Sequence, residues 1–381
     1  MKVLIVVARL PIATHQIKGG VHSAMMNLLD GFSKTDAHVR LLSLNDDIGQ
    51  TQQVRFSNNI DIFYEPEGKL KFHLLNYLVN GSKILKKHLT EFKPDILHFQ
   101  NGNSLYLTGL FAGKLPPRVI TIHGNFLKEA FARDKFSEKI KWIVNGLINE
   151  ALKASNIIFL SQISVDGYQP KKSEHYTIIP NAIKSNFFNI PMKEKMENKL
   201  LYIGIINKRK NLLLLIDTMQ RLRDIGYDYT LEVIGGFEND EYKNLVMERV
   251  NKHPIEHQIK FSGWADQSTV MAAIQNSDCL VMTSYAETLP MVIAESMCAG
   301  KMVISSAVGG IPTQIKDKVN GYLFDLSQPE QLFNILSTLH NNTTTVTALS
   351  NKAREYAISC YESQSVAQKT LAFYHSILHA K

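Results

Sequence analysis

The chain opens on an unbroken apolar run, Lys2-Val-Leu-Ile-Val-Val-Ala8, whose β-branched and aliphatic residues predict a strand buried on both faces. Val21-His-Ser-Ala-Met-Met-Asn-Leu-Leu-Asp-Gly-Phe32 follows, with its apolar residues at helical spacing. Strand-like and helix-like pieces then alternate: VRLLSL, the helix-like KFHLLNYLVNGSKILKKHL, DILHFQ, RVITIHG, the long helix-like stretch from Phe131 to Ser155, NIIFLS and YTIIPN. Alternation of this kind predicts a parallel sheet covered by helices on both faces.

The pattern restarts near residue 198. KLLYIGI, YTLEVIGG, IKFSG, CLVMTS and KMVISS read as strands, separated by helix-like pieces such as NLLLLIDTMQRLRDIG and PMVIAESMCAG. A domain boundary is therefore expected between about 181 and 198, where NAIKSNFFNIPMKEKMEN is polar, aperiodic and hinge-like. The expected division is 1–183, 184–363 and a closing helix at 364–381, packed toward the first domain. Two doubly wound α/β domains would place ligands at the carboxyl ends of their strands, in a cleft between the two.

With 381 residues and 45% apolar content, the chain is neither disordered nor of low complexity. Its longest apolar runs fall far short of the ~20 residues that span a bilayer, and Arg9 and Pro11 interrupt any signal-peptide core. A cytoplasmic location is expected. Three cysteines form neither a disulfide framework nor metal-ligand spacing, and Cys279 and Cys298 are read as core packing.

The net charge of +7 lies wholly in the first half: residues 1–183 hold 22 basic against 15 acidic side chains, and residues 184–381 hold 20 against 20. Basic residues recur at Lys83, Lys86, Lys87 and His88. They recur again at Lys128, Arg133, Lys135, Lys139 and Lys141, where Phe126, Phe131, Phe136 and Trp142 are interleaved. Such faces suit an anionic membrane surface, so peripheral membrane contact is expected. Nucleic acid is not, for want of any recognition motif. Nor does Gly-x-Gly-x-x-Gly follow the first strand, which argues against a dehydrogenase.

The most informative stretch is Glu287-Thr-Leu-Pro-Met-Val-Ile-Ala-Glu295. Pro290 suits the first position of a helix and Gly300 the position just past its end. The amides of Thr288, Leu289, Met291 and Val292 would then form a phosphate site at a helix N-terminus. Beside a phosphate, Glu287 and Glu295 must address neutral hydroxyls.

Two glutamates with seven residues between them resemble the signature of retaining nucleotide-sugar glycosyltransferases of family 4, which have the GT-B fold. Gly309-Gly310-Ile311-Pro312, Asn320-Gly321, Ile179-Pro180-Asn181-Ala182, Gly204 through Lys210-Asn211, Phe261-Ser-Gly263 and Gly19-Gly20 match its other motifs in order. The resemblance implies that Glu295 holds the donor ribose and Glu287 touches the transferred sugar. It further implies that Thr288, Leu289, Pro290 and Met291 bind the diphosphate and sugar, and that Lys210 neutralises phosphate. Gly19 and Gly20 would let backbone approach the donor, and His123 would reach toward the transferred sugar. Ile205 stands where the family carries Arg, and Arg209 would supply that second charge from a shifted position.

The implied activity is transfer of a sugar, from UDP by default, to a glycan or lipid-diphosphate-linked acceptor in lipopolysaccharide or other surface-polysaccharide assembly. No Asp-x-Asp motif occurs, so neither metal nor cofactor is expected. A nucleotide-sugar 2-epimerase and a non-catalytic nucleotide-sugar-binding subunit are the competing readings.

Overall fold

The computed structural model describes residues 1–12, 20–45, 47–68, 76–100, 112–123, 156–170, 175–252 and 255–379. Described residues of Met1–Thr14, Val21–Ala182 and Ser363–Lys381 form one compact unit, and Ile183–Glu362 is the body of the other.

Among the described residues of the first unit, eight strands make one sheet: β1 (Lys2–Ala8), β2 (His38–Asn45), β3 (Gln52–Ser57), β4 (Ile60–Pro66), β5 (Ile96–Gln100), β6 (Arg118–Ile122), β7 (Asn156–Phe159) and β8 (Tyr176–Ile178), in the order β3-β4-β2-β1-β5-β6-β7-β8. All neighbours are parallel except β3, which runs antiparallel on β4. β1 lies between β2 and β5, so Val3 through Val7 have no solvent face, which is why they read as one apolar run. Helix α1 (Gly20–Phe32) buries Met25, Leu28, Leu29 and Phe32, while α2 (Ser82–Phe92) and α3 (Gln162–Tyr168) are shorter.

The hairpin β3–β4 was not expected. Gln52 through Arg55 are exposed along an edge strand, so no apolar alternation announces it. Its turn is held by Asn59, whose side-chain amide donates to the carbonyls of Phe32, Thr35 and Ala37 at 2.8–2.9 Å.

Among the described residues of the second unit, six strands, all parallel, take the order β11-β10-β9-β12-β13-β14: β9 (Lys199–Ile203), β10 (Thr230–Ile234), β11 (Ile259–Gly263), β12 (Cys279–Met282), β13 (Met302–Ser306) and β14 (Tyr322–Phe324). This is the doubly wound Rossmann order, and the first unit repeats it once the hairpin strand β3 is set aside, with β8 added as a seventh strand. Helices α4 (Ser185–Phe188), α5 (Leu212–Asp224), α6 (Asp240–Asn251), α7 (Gln267–Asn276), α8 (Met291–Cys298), α9 (Ile311–Gln314), α10 (Glu330–Leu339) and α11 (Thr343–Tyr361) complete the unit. Alternate strand residues feed separate cores. Leu200, Tyr202, Val281 and Ile304 enter one, while Leu201, Leu280, Met282 and Val303 enter the other.

The closing helix α12 (Ser363–His379) packs in the first unit, burying Val366, Ala367, Phe373 and Tyr374 in the core that also holds β1 and α1. Gly31 of α1 is obligatory there, because a Cβ would lie 2.0 Å from the carbonyl oxygen of Ser363.

The hinge-like stretch near 181–198 is not a free linker. Ile183, Phe187 and Ile190 are buried in the second unit's core, and Arg354 donates to the carbonyls of Phe188 and Ile190. Only a few apolar residues are needed to anchor it, too few to show a period. Phe187→Ala should therefore lower stability by about 3–5 kcal/mol, read from urea unfolding. A change below about 0.5 kcal/mol would mark the segment as an unpacked linker.

Candidate active site

In the second unit the strand order reverses between β9 and β12, which are hydrogen-bonded neighbours. The loops leaving their carboxyl ends therefore meet at the place where doubly wound sheets bind ligands. One loop carries Gly204 to Asn211 and the other Thr283 to Pro290.

Backbone geometry builds the first loop. Gly204 and Gly235 have φ of +150° and +138°, and a Cβ on Gly235 would sit 2.0 Å from the Gly204 carbonyl oxygen. The Asn207 side chain accepts from Lys210 N–H at 3.0 Å and donates to Glu238 at 3.2 Å, closing the turn Lys208–Lys210. Three bonds stitch this loop to the next. Thr283 Oγ1 donates to the Asn211 carbonyl at 2.8 Å, Tyr285 N–H to the Arg209 carbonyl at 2.8 Å, and Arg209 Nη1 to the Ala286 carbonyl at 2.6 Å.

The seam brings together charged residues singled out in the sequence. Lys210 Nζ lies 2.5 Å from Glu287 Oε1, and Arg209 Nη1 lies 3.5 Å from the same oxygen. The Glu287 side chain is 8% exposed and that of Lys210 13%, so the pair is largely removed from water, while Arg209 is half exposed. Behind it, Gly309 and Gly310 touch the backbone of Glu287 and Thr288. A Cβ on either would fall 1.7 or 1.8 Å from those carbonyl oxygens, so the turn is required for close approach.

Helix α8 begins one residue later than expected. Pro290 is its N-cap, in extended conformation with φ −68° and ψ 124°, rather than its first helical residue. Proline's fixed φ fits both places, and a ψ of 124° excludes the helical one. No side chain caps this end. At the other end Gly300 N–H donates to Met297 O at 2.9 Å and Lys301 N–H to Ser296 O at 2.8 Å, with Gly300 at φ +66°, a Schellman ending. Glu295 shares the half-buried face of α8 with Met291 and Val292; Thr288 is exposed, and Leu289 and Pro290 are half buried. Ile205, which replaces the family arginine, is 42% exposed at the end of β9.

His123 belongs to the first unit, where it follows β6. Its Nε2 lies 2.7 Å from Gln100 Oε1, and burial lowers its pKa from 6.5 to about 4. His98, fully buried on β5, is lowered to about 3 by burial and by His123. His98, Gln100, Thr121 and His123 line a cavity of about 20 Å³, closed by Met25 and Leu28 of α1 and Thr370 of α12. Sequence reasoning found His123 alone in this group. The available signal was the spacing of two in His98/Gln100 and Thr121/His123, which puts polar side chains on one face of adjoining strands.

Gly20 opens α1 and is exposed. Gly19 and the basic, aromatic stretch 126–142 lie outside the described residues. On α2, Lys83, Lys86 and Lys87 are exposed, but His88 is not part of that face. It is buried, with Nε2 3.0 Å from Glu65 Oε1, because the next helical positions turn inward onto β4. Among the described residues no group of three His, Cys, Asp or Glu side chains is placed to hold a metal ion. Nor is any helix there long and apolar enough to cross a membrane.

Residues 18–187 match the family model described as Glycosyltransferase Family 4, and residues 184–357 match Glycosyl transferases group 1. An uncharacterized glycosyltransferase of Methanocaldococcus jannaschii is 25% identical over 345 residues, 89% of this chain and 90% of that one. A lipopolysaccharide 1,2-N-acetylglucosaminetransferase of Salmonella typhimurium is 27% identical over 211 residues, 51% of this chain and 54% of that one. Among solved structures, a sucrose-phosphate synthase of Thermosynechococcus elongatus is similar with a TM-score of 0.79 at 17% identity, covering 100% of both chains. Anabaena HepE in complex with UDP and glucose is similar with a TM-score of 0.73 at 16% identity, covering 99% of this chain and 100% of that one.

Because folding depresses both histidine pKa values, the unfolded chain binds protons more readily than the folded one in acid. The stabilisation from keeping them neutral is whole above about pH 6.5. It is lost as pH falls toward about 4 for His123 and about 3 for His98. The melting temperature should fall across that window, and His123→Gln should flatten the fall. An identical profile in the variant would contradict the assignment.

Proposed function

The chain is a glycosyltransferase of the GT-B type, and we propose that it moves a sugar from a nucleotide-sugar donor, by preference a UDP-sugar, to a glycan or lipid-linked glycan with retention of anomeric configuration. Cell-surface polysaccharide is its proposed product. The observation that carries this reading is the convergence of Lys210 and Arg209 on Glu287 at the second unit's switch point, ahead of the uncapped α8. The complex of HepE with UDP and glucose and the lipopolysaccharide activity of the Salmonella relative support the proposed donor and acceptor classes.

Breaking the bond between the sugar's anomeric carbon and its phosphate leaves negative charge on a diphosphate and positive charge on the sugar. Lys210, Arg209 and the first amides of α8 answer the first, with no metal assigned to the task. Without donor, Glu287 holds the Lys210 ammonium in place, so its charge is already aimed when the diphosphate arrives. Glu295 accepts from the ribose hydroxyls. Glu287 faces the developing charge on the sugar as an ion-paired carboxylate, which makes it a poor covalent nucleophile. The acceptor hydroxyl therefore attacks from the face the diphosphate is leaving; the new carbon–oxygen bond forms as the old one breaks, and the acceptor's proton passes to the departing phosphate. His123 keeps the role that the family resemblance gives it, a hydrogen-bonding partner of the transferred sugar.

A thermal-shift screen with UDP-, GDP- and ADP-sugars tests the donor. The true donor at 100 times its dissociation constant should add about 2.7 kcal/mol of stability; no shift with any of the three would count against the reading. In the assay that follows, run with chelator present, Lys210→Met should lower transfer by about 10²–10³-fold. That variant also leaves Glu287 poorly paired and costs stability. Lys210→Met with Glu287→Gln should restore the melting temperature but not the transfer, which separates folding from catalysis.

The first unit's excess of positive charge, with Lys83, Lys86 and Lys87 exposed on α2, is proposed to rest on an anionic membrane that presents the acceptor. Each such residue contributes about 1 kcal/mol near the surface. Vesicles of mixed neutral and anionic lipid should sediment the protein at low salt and release it at high salt. No sedimentation at low salt would remove this part.

A further inference from the structure

A continuous chain of polar side chains crosses the interior of the first unit. The hydroxyl of Tyr374 on α12 lies 2.5 Å from His98 Nδ1. His98 Nε2 lies 2.8 Å from Thr121 Oγ1 and 3.2 Å from Gln100 Nε2, and Gln100 Oε1 lies 2.7 Å from His123 Nε2. Tyr374, His98 and Gln100 are all at most 2% exposed. Burial keeps both imidazoles neutral and the phenol protonated at neutral pH.

A neutral imidazole has one donor and one acceptor nitrogen, and a primary amide donates only from nitrogen and accepts only on oxygen. Each link therefore fixes the next. Gln100 Nε2 donates to His98 Nε2, so the His98 proton sits on Nδ1 and is given to the Tyr374 oxygen. Gln100 Oε1 must accept, so the His123 proton sits on Nε2 and the lone pair on Nδ1.

We propose that Tyr374, His98 and Gln100 are positioning residues that set the tautomer of His123, making its Nδ1 a hydrogen-bond acceptor. The proposal rests on the reading of His123 as a partner of the transferred sugar, whose hydroxyls are donors that an acceptor nitrogen can orient. It gives the chain's last helix a chemical task, since the first link of the relay is on α12. The relay is cooperative: turning the Gln100 amide end for end reverses both histidines together.

The test uses the full-length protein with ¹⁵N-labelled histidine and long-range ¹H–¹⁵N correlation at pH 7, which distinguishes the two tautomers. The wild type should show His98 protonated on Nδ1 and His123 on Nε2. Tyr374→Phe keeps the ring and removes the acceptor, so the His98 proton should move to Nε2, the Gln100 amide turn, and the His123 proton move to Nδ1. His123 unchanged while His98 switches would overturn the proposal, as would His123 protonated on Nδ1 in the wild type. Should Tyr374→Phe fail to fold, Gln100→Glu offers a carboxylate that accepts from both rings. His98 should then become protonated on Nε2 with His123 unchanged, and His98 remaining protonated on Nδ1 would overturn the relay. No donor enters the measurement. A chain that binds no nucleotide sugar would lose the proposed function and could still show the coupled tautomers.

Discussion

The second unit is organised around one nearly dry ion pair, Lys210 with Glu287. Two charges taken from water cost several kcal/mol each unless each finds a partner, and a buried pair is strongly destabilising when only one member remains. Neither residue can reach the other unless the loops after β9 and β12 are held side by side. The bonds from Thr283, Tyr285 and Arg209 do this. The same requirement explains the glycines, because at Gly235, Gly309 and Gly310 backbone meets backbone closer than any Cβ permits. Loop geometry fixed in this way is what the proposed site requires, because its charges are then placed before any ligand comes.

What the sequence showed follows from how much of each element is buried. Central parallel strands such as β1 and β9 lose both faces to the core, so they appear as apolar runs, and their alternation with helices gave the α/β class. The edge hairpin β3–β4 escaped because Gln52 through Arg55 face solvent and bear no periodic mark. The segment around Phe187 escaped for the opposite reason: it is buried through few residues, spaced by the surface it fills rather than by a helix of its own. Lys210, Arg209 and Glu287 were found by motif. That they converge on one carboxylate oxygen is a property of strand order, which joins positions 77 and 78 residues apart and leaves no trace in local pattern.

The polar group of the first unit was the least legible. His98 and Gln100 lie in a strand whose other residues are apolar, and isolated polar residues in such a run look like tolerated exceptions. Only the fold reveals that the exceptions on β5 face those on β6 and that Tyr374, distant in sequence, completes them.

The two sheets share a topology but are opposite in electrical character at the residues assigned to the proposed function. The second unit gathers full charges, two cations against one carboxylate, at the reversal of its strand order. The first keeps two histidines neutral by burial, links them through the uncharged amide of Gln100, and ends the chain at His98 with the uncharged phenol of Tyr374. Fixed cations suit a ligand whose negative charge grows during reaction, because a charge already in place needs no reorganisation when it is used. Neutral donors and acceptors of set polarity suit hydroxyls, whose recognition depends on which atom holds a proton. The proposed glycosyl transfer calls for both kinds of recognition, and each sheet, taken by itself, carries residues suited to one of them.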